Sequence, residues 1–115
     1  MGLARGTIAL VTLDPTLGHE QQGVRPCVIV SSPESTASQK YPMVCVVPIT
    51  STGGQGALYP VLEPGSSGLR NRSYGLVDQL RSLDKHRVRK FFGSISPAEL
   101  AAIDDGLRLY LGLAY

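Results

Sequence analysis

Tryptophan is absent from the 115 residues, and five tyrosines and two phenylalanines are all the aromatic surface there is. Recognition of nucleobases chiefly by stacking is thereby disfavoured, and polar and backbone groups in loops would have to read them instead. Charge of one sign is lacking as well. Eleven basic against nine acidic residues leave a net +2, which excludes a chain that is cationic throughout. Only two cysteines, Cys27 and Cys45, are present. Each lies in an apolar run and they are not spaced as a metal-binding pair, so they read as small buried hydrophobes in a reducing compartment. No apolar run approaches a membrane-spanning length, and residues 1–6 lack the apolar core of a secretion signal. A soluble, cytoplasmic protein with no membrane partner is expected.

What is present suffices for one core. At 43% apolar residues, a chain of this length fills a single domain, residues 1–115, and not two. Its 13 glycines and 8 prolines are scattered, as short connections between short strands require. Apolar and β-branched runs predict strands over residues 7–14, 27–30, 44–49, 58–62, 74–80 and 88–95. Pro60 puts its strand at an edge or a bulge, because proline cannot donate to a sheet ladder. Ser96-Pro97-Ala98-Glu99 is a capping box with proline at the first helical position. Leu100, Ile103, Leu107 and Leu111 then recur at helical spacing. The fold class is mainly β with a C-terminal α-helix covering a strongly bent antiparallel sheet.

Several constellations fail as chemistry. His19-Glu20 resembles the start of a zinc-protease helix, but the second ligand position is Gly23. Two cysteines and two histidines so far apart do not suggest zinc, so no metal and no cofactor is expected. Gly53, Gly54 and Gly56 lack the lysine and hydroxyl of a phosphate-binding loop, and residues 51–56 read as a mobile loop beside a site. Between Arg81 and Lys90 five cations face one acid, Asp84, with Arg70 and Arg72 nearby. Such a segment could face a polyanion, but on charge alone a solvated polar face is the readier explanation.

A more informative string is Gly18-His19-Glu20-Gln21-Gln22-Gly23-Val24-Arg25-Pro26, which runs into a buried strand. It places a permanently charged guanidinium where a loop enters rigid sheet, beside an imidazole and a carboxylate. Pro26 biases Arg25 toward extended backbone and so sets the direction from which it projects. Pro48-Ile49-Thr50-Ser51 ends another buried strand in two hydroxyls, and Asp78-Gln79 sits in the strand before the basic segment. Singly, each has an ordinary structural explanation: a surface ion pair, a turn hydroxyl, a paired carboxylate.

Together with Arg5-Gly6, Leu13-Asp14-Pro15-Thr16, Asp78-Gln79-Leu80-Arg81-Ser82-Leu83-Asp84 and the terminal helix, these strings resemble the MazF/PemK family of toxin endoribonucleases over almost the whole chain. The resemblance implies an SH3-like small β-barrel of the MazF/PemK/Kid (CcdB-like) type. It implies a homodimer with an RNA groove across the subunit interface, and a type II toxin-antitoxin system. It further implies metal-independent, sequence-specific cleavage of single-stranded mRNA to 2′,3′-cyclic phosphate and 5′-hydroxyl ends, inhibiting translation and growth. An acidic, partly disordered antitoxin tail would occupy the groove as a mimic of the anionic strand. Arg25 and Thr50 match the positions most often held catalytic. His19 and Asp78 match site residues from which the base would come. Glu20, Gln21, Ser51, Gln79, Arg81 and Arg87 fall to RNA binding, and loops 51–59 and 68–74 to base reading. The position two before Asp78, an arginine in some relatives, is Leu76 here. In-line attack by a 2′-hydroxyl needs a base, a cation for the dianionic phosphorane and a donor for the leaving oxygen. Arg25 suits the charge and Thr50 a non-bridging oxygen, while the base stays open between His19 and Asp78. Two other readings use the same barrel: a gyrase-binding toxin acting through its last residues, and a catalytically dead groove binder or scaffold.

Overall fold

Alternation decides how the strands are used. In β1 (Thr7–Thr12), Ile8 packs on one side of the sheet while Ala9 and Val11 pack on the other. The same division runs through β2 (Val24–Ile29) and β3 (Met43–Thr50), as a period of two requires. This is seen in a computed structural model that describes residues 3–114. On one side Ile8, Val28, Val47 and Ile49 meet Ile103 of the C-terminal helix. On the other, Val11, Cys27, Ile29 and Val46 meet Leu83, with Phe91 and Val88 packed against them. A mainly β sheet curled into a half-barrel, with one long C-terminal helix across it, is the result, and the expected fold class holds.

All pairings are antiparallel. The order runs from β4 (Val61–Leu62) at one edge through β5 (Ser73–Gly75), β3, β2 and β1 to β7 (Val88–Ser94). A further strand, β6 (Arg81–Asp84), shares the outer edge of β3 with β5, pairing Met43 to Val46 while β5 pairs Ile49 and Thr50. Register shifts between β1 and β7 after Ile8 and after Leu10 bend the sheet on that side.

Several elements differ from the sequence expectation, β6 among them, since the stretch 81–84 was read only for its charge. The run 74–80 is not one strand: β5 ends at Gly75, and Val77–Gln79 form a 3-10 turn. Asp78 therefore sits on a turn and not in a strand. The cause is Pro48, which has no N–H to offer and lies where β3 changes neighbours from β6 to β5; the chain crosses that gap with Leu76 donating to the Pro48 carbonyl at 2.8 Å. The run 58–62 is a strand only at Val61 and Leu62, at the sheet edge that Pro60 foretold. A short helix α1 (Pro33–Ala37), unforeseen, starts where Ser32 Oγ accepts from the Glu34 amide and Pro33 sets the first φ.

The long helix, α2 (Pro97–Leu111), begins as its capping box dictates. Ser96 Oγ accepts from the Glu99 amide at 3.1 Å, and Glu99 Oε1 from the Ser96 amide at 2.8 Å. Gly112, at φ +70°, ends it in the left-handed conformation that glycine takes without penalty. Arg5 ties this helix to the sheet, with Nε donating to the Val30 carbonyl at 2.8 Å and both Nη atoms to the Asp104 carboxylate. Among the described residues no helix is long and apolar enough to cross a membrane.

Candidate active-site cleft

The last paired residues of β2 and β3 at this end are Cys27 and Pro48. Arg25 and Thr50 each lie two residues beyond that pair, so period-two alternation brings both side chains out on one face, at the sheet's open end. They line a common cleft of about 450 Å³, with Gln21 and Ser51 beside them. Arg25 is exposed; its Nε donates to the Gln22 carbonyl at 2.9 Å, and its two Nη atoms have no protein partner among the described residues. The guanidinium is oriented by its own loop while its two-pronged end faces the cleft. Thr50 Oγ1 accepts from the Thr52 amide at 3.2 Å and lies 3.1 Å from the Thr52 hydroxyl. This short turn starts the 51–57 loop. Gly54 seats it: at φ +114°, a Cβ there would come within 3.3 Å of both Tyr59 and Tyr74.

Gln21 joins this cleft to two neighbouring recesses. One holds His19 and Glu20 with Arg25. The other, the notch opened at Pro48, holds Asp78, Gln79 and Arg81. The loop between β1 and β2 is held over the notch by Gln79, whose Oε1 accepts from the Gln21 amide at 2.7 Å and whose Nε2 donates to the His19 carbonyl at 3.2 Å. Glu20 closes the same loop on itself by accepting from the Leu17 amide.

Asp78 accepts a 2.7 Å hydrogen bond from the Tyr59 hydroxyl on Oδ2, while its Oδ1 is buried without a protein partner. The contact pushes the Tyr59 phenol above its ordinary range, since the nearby carboxylate both accepts the proton's hydrogen bond and opposes a second negative charge. Helix α2 backs this turn closely: at Gly106 a Cβ would stand 2.9 Å from the Ala57 carbonyl oxygen and 3.2 Å from Val77, which explains a glycine within the helix.

The structure therefore gathers Arg25, Thr50, Ser51, Gln21, His19, Glu20, Asp78 and Gln79 at one end of the sheet. Arg81 reaches the same notch but donates Nη1 to the Leu13 carbonyl at 2.9 Å. Arg87 does not line the cleft, and its Nη1 serves the Thr12 and Asp14 carbonyls at the end of β1. The basic run is in large part a set of struts. The Tyr59–Asp78 contact was missed by sequence reasoning, which placed Tyr59 only in a base-reading loop, because a tyrosine before a proline carries no signal of its partner 19 residues on. Neither cysteine is a nucleophile here. Burial pushes the Cys27 thiol up to about 12, and Cys45 is raised for the same reason. Among the described residues no three His, Cys, Asp or Glu side chains come together as a metal ion would need.

Comparison with known proteins gives consistent findings. The family described as PemK-like, MazF-like toxin of type II toxin-antitoxin system matches residues 4–111. Endoribonuclease MazF9 of Mycobacterium tuberculosis (strain ATCC 25618 / H37Rv) is 34% identical over 117 residues, which cover 96% of this chain and 98% of that protein. The crystal structure of MazF (Form-I) from Deinococcus radiodurans superposes with a TM-score of 0.81 at 25% identity, covering 96% of both chains. The MazE-MazF (Form-II) structure from the same organism superposes with a TM-score of 0.75, at the same identity and coverage.

Proposed function

The chain belongs to the family of PemK-like, MazF-like toxins of type II toxin-antitoxin systems, and from that premise we propose that it is a sequence-specific endoribonuclease cutting single-stranded mRNA. The observation that carries the reading is the convergence of Arg25 and Thr50, from two neighbouring strands, on one cleft with the Arg25 fork unspent. A fork of that kind binds two phosphate oxygens at once and stays charged throughout the reaction.

In this reading the 2′-oxygen attacks the adjacent phosphorus, the bond to the 5′-oxygen breaks, and a 2′,3′-cyclic phosphate and a 5′-hydroxyl remain. Arg25 stabilises the dianionic phosphorane and Thr50 donates to a non-bridging oxygen. His19 is the base that takes the 2′-proton; an equal proton reaches the 5′-oxygen from solvent. His19 is exposed in the recess it shares with Arg25, whereas Asp78 has one oxygen held by Tyr59 and the other buried. Asp78 is thus a positioning residue. No step requires a metal.

The working form is a homodimer in the cytoplasm, and its silencer is an antitoxin whose acidic tail lies in the RNA cleft, in keeping with the MazE-MazF assembly of a structural relative. Catalysis inhibits translation and growth. The test is incubation of the purified protein with mixed-sequence RNA in EDTA, followed by primer extension and end analysis. Cuts at a short shared sequence with cyclic-phosphate ends, lost in Arg25→Ala, are the expected result. Intact RNA after incubation with folded protein would refute the reading, as would cutting of an oligonucleotide with deoxyribose at the cut site.

A further inference from the structure

Part of the cleft lining comes from a different part of the chain, the stretch from β4 into β5, which contributes Leu69, Arg70, Asn71 and Ser73. A surface connection of this length would ordinarily be loose. This one is tied at each turn. The Glu63 amide donates to Glu99 Oε2 of α2 at 2.7 Å. Buried Ser67 donates Oγ to the Glu63 carbonyl at 2.8 Å and accepts from the Leu69 amide at 3.2 Å. Buried Ser73 donates Oγ to the Asn71 carbonyl at 2.8 Å. Gly93 of β7 lets residues 66 and 67 lie directly on the sheet, where a Cβ would stand 2.8 Å from the Ser67 carbonyl oxygen. Leu69 anchors the far end against the core.

So firm a loop presents one cation with every donor unspent. Arg72 pairs with Glu63 at 3.8 Å, Arg81 and Arg87 serve backbone carbonyls, and Arg5 holds Asp104. Arg70 is exposed and has no partner among the described residues. Its neighbour Asn71 is also exposed and brings both a donor and an acceptor to the same cleft. A rigid wall bearing a free guanidinium and a free amide is what a phosphate and a base edge require.

We propose that Arg70 and Asn71 form a second nucleotide subsite: Arg70 binds the phosphate next to the one held by Arg25, and Asn71 reads the edge of the base it carries. The proposal rests on the ribonuclease reading and assigns the specificity of the cut, at one position, to a loop remote in sequence from the catalytic strings.

Arg70→Ala, Arg70→Lys and Asn71→Ala are compared with Arg25→Ala. The probe for binding is the RNA oligonucleotide bearing the sequence the wild type cuts, made with deoxyribose at the cut site. Arg70→Ala is expected to weaken binding about tenfold, with the loss in KM and not kcat. The slope of log affinity against log salt should fall by about 0.7, one phosphate's share for a single strand. Arg70→Lys restores the slope but only part of the affinity, because the charge returns without the fork. Asn71→Ala leaves the slope unchanged and relaxes base preference at one position. Wild-type KM and salt slope in Arg70→Ala, with cutting still lost in Arg25→Ala, would overturn the subsite and leave the nuclease standing. An unaltered cutting profile in Asn71→Ala would overturn the base reading. Failure of the wild type to bind or cut RNA would overturn both readings together.

Discussion

The Gln79 carboxamide oxygen accepts a 2.7 Å hydrogen bond from the backbone nitrogen of Gln21, 58 residues earlier, and its nitrogen donates to the carbonyl of His19. One amide thus holds the loop that carries His19 and leads into Arg25, and it does so from the turn that carries Asp78. The two halves of the cleft are set relative to each other by this side chain. Gln79→Ala should leave the fold intact, speed hydrogen exchange at the Gln21 amide, and cut cleavage by between about tenfold and a hundredfold, the cost of a misplaced reacting group. Unchanged exchange at Gln21 would contradict it.

Gly93 tests whether the Arg70 wall is built on the sheet. A methyl there would run into the Ser66 carbonyl oxygen and stand 2.8 Å from that of Ser67, backbone atoms with no rotamer to yield. Gly93→Ala should lose about 2 kcal/mol or more in urea unfolding. Because the strain falls on residues 66 and 67, the folded fraction should also bind RNA more weakly. A stability within about 0.5 kcal/mol of the wild type, the range of neutral surface changes, would show that the loop does not rest there.

Arg5 and Asp104 provide the clamp between α2 and the sheet. Both side chains are about three-quarters buried, at 28% and 26% exposure, and the geometry is two-pronged. The Asp104 hydrogen bond is the largest influence on Arg5 and raises its pKa further above the usual guanidinium range, partly offset by burial. A double-mutant cycle with Arg5→Ala and Asp104→Ala should give a coupling of about 1 to 2 kcal/mol, less than a fully dry pair because water still reaches it. Additive single-mutant losses would mean the contact contributes no coupling.

Cys27 gives a pH dependence. Its thiol is raised from 9.0 to about 12 by burial in the core, with the Arg81 charge acting weakly in the other direction. The unfolded chain therefore loses this proton first. The stability contribution is whole below pH 9 and is lost as pH rises from 9 toward 12. Alkylation should follow the same logic: at pH 8.5 Cys27 reacts negligibly in the native protein and fully in urea, with Cys45, less buried and also raised, between them. Rapid native labelling of Cys27 would refute its placement.

Strand faces and helix ends were legible because they are set by neighbours in the chain. Val28 and Ile29 must face opposite ways, Ser96 and Glu99 cap each other across one turn, and Pro26 holds Arg25 extended. The run 74–80 was misjudged because nothing within it shows that Pro48, far back in the chain, leaves a gap in β3 that its partner strand must step across. The basic run 81–90 left an anion-binding face and a solvated face both open for a related reason. Spacing counts charges but does not tell which carbonyls will claim them, and Arg81 and Arg87 were claimed by Leu13, Thr12 and Asp14.

By itself, then, the sequence determined a curled antiparallel sheet with a capped helix, and supplied the residues, Arg25 and Thr50 above all, that the proposed ribonuclease chemistry uses. Tertiary structure decided which of the cations remain unspent, that Gln79 spans the site, that Asp78 is held by Tyr59, and that Arg70 and Asn71 line one cleft with Arg25. The reason is range. Side-chain direction follows from backbone periodicity over a few residues, whereas hydrogen-bond partners tens of residues apart are chosen only once the sheet has curled and brought them within about 3 Å.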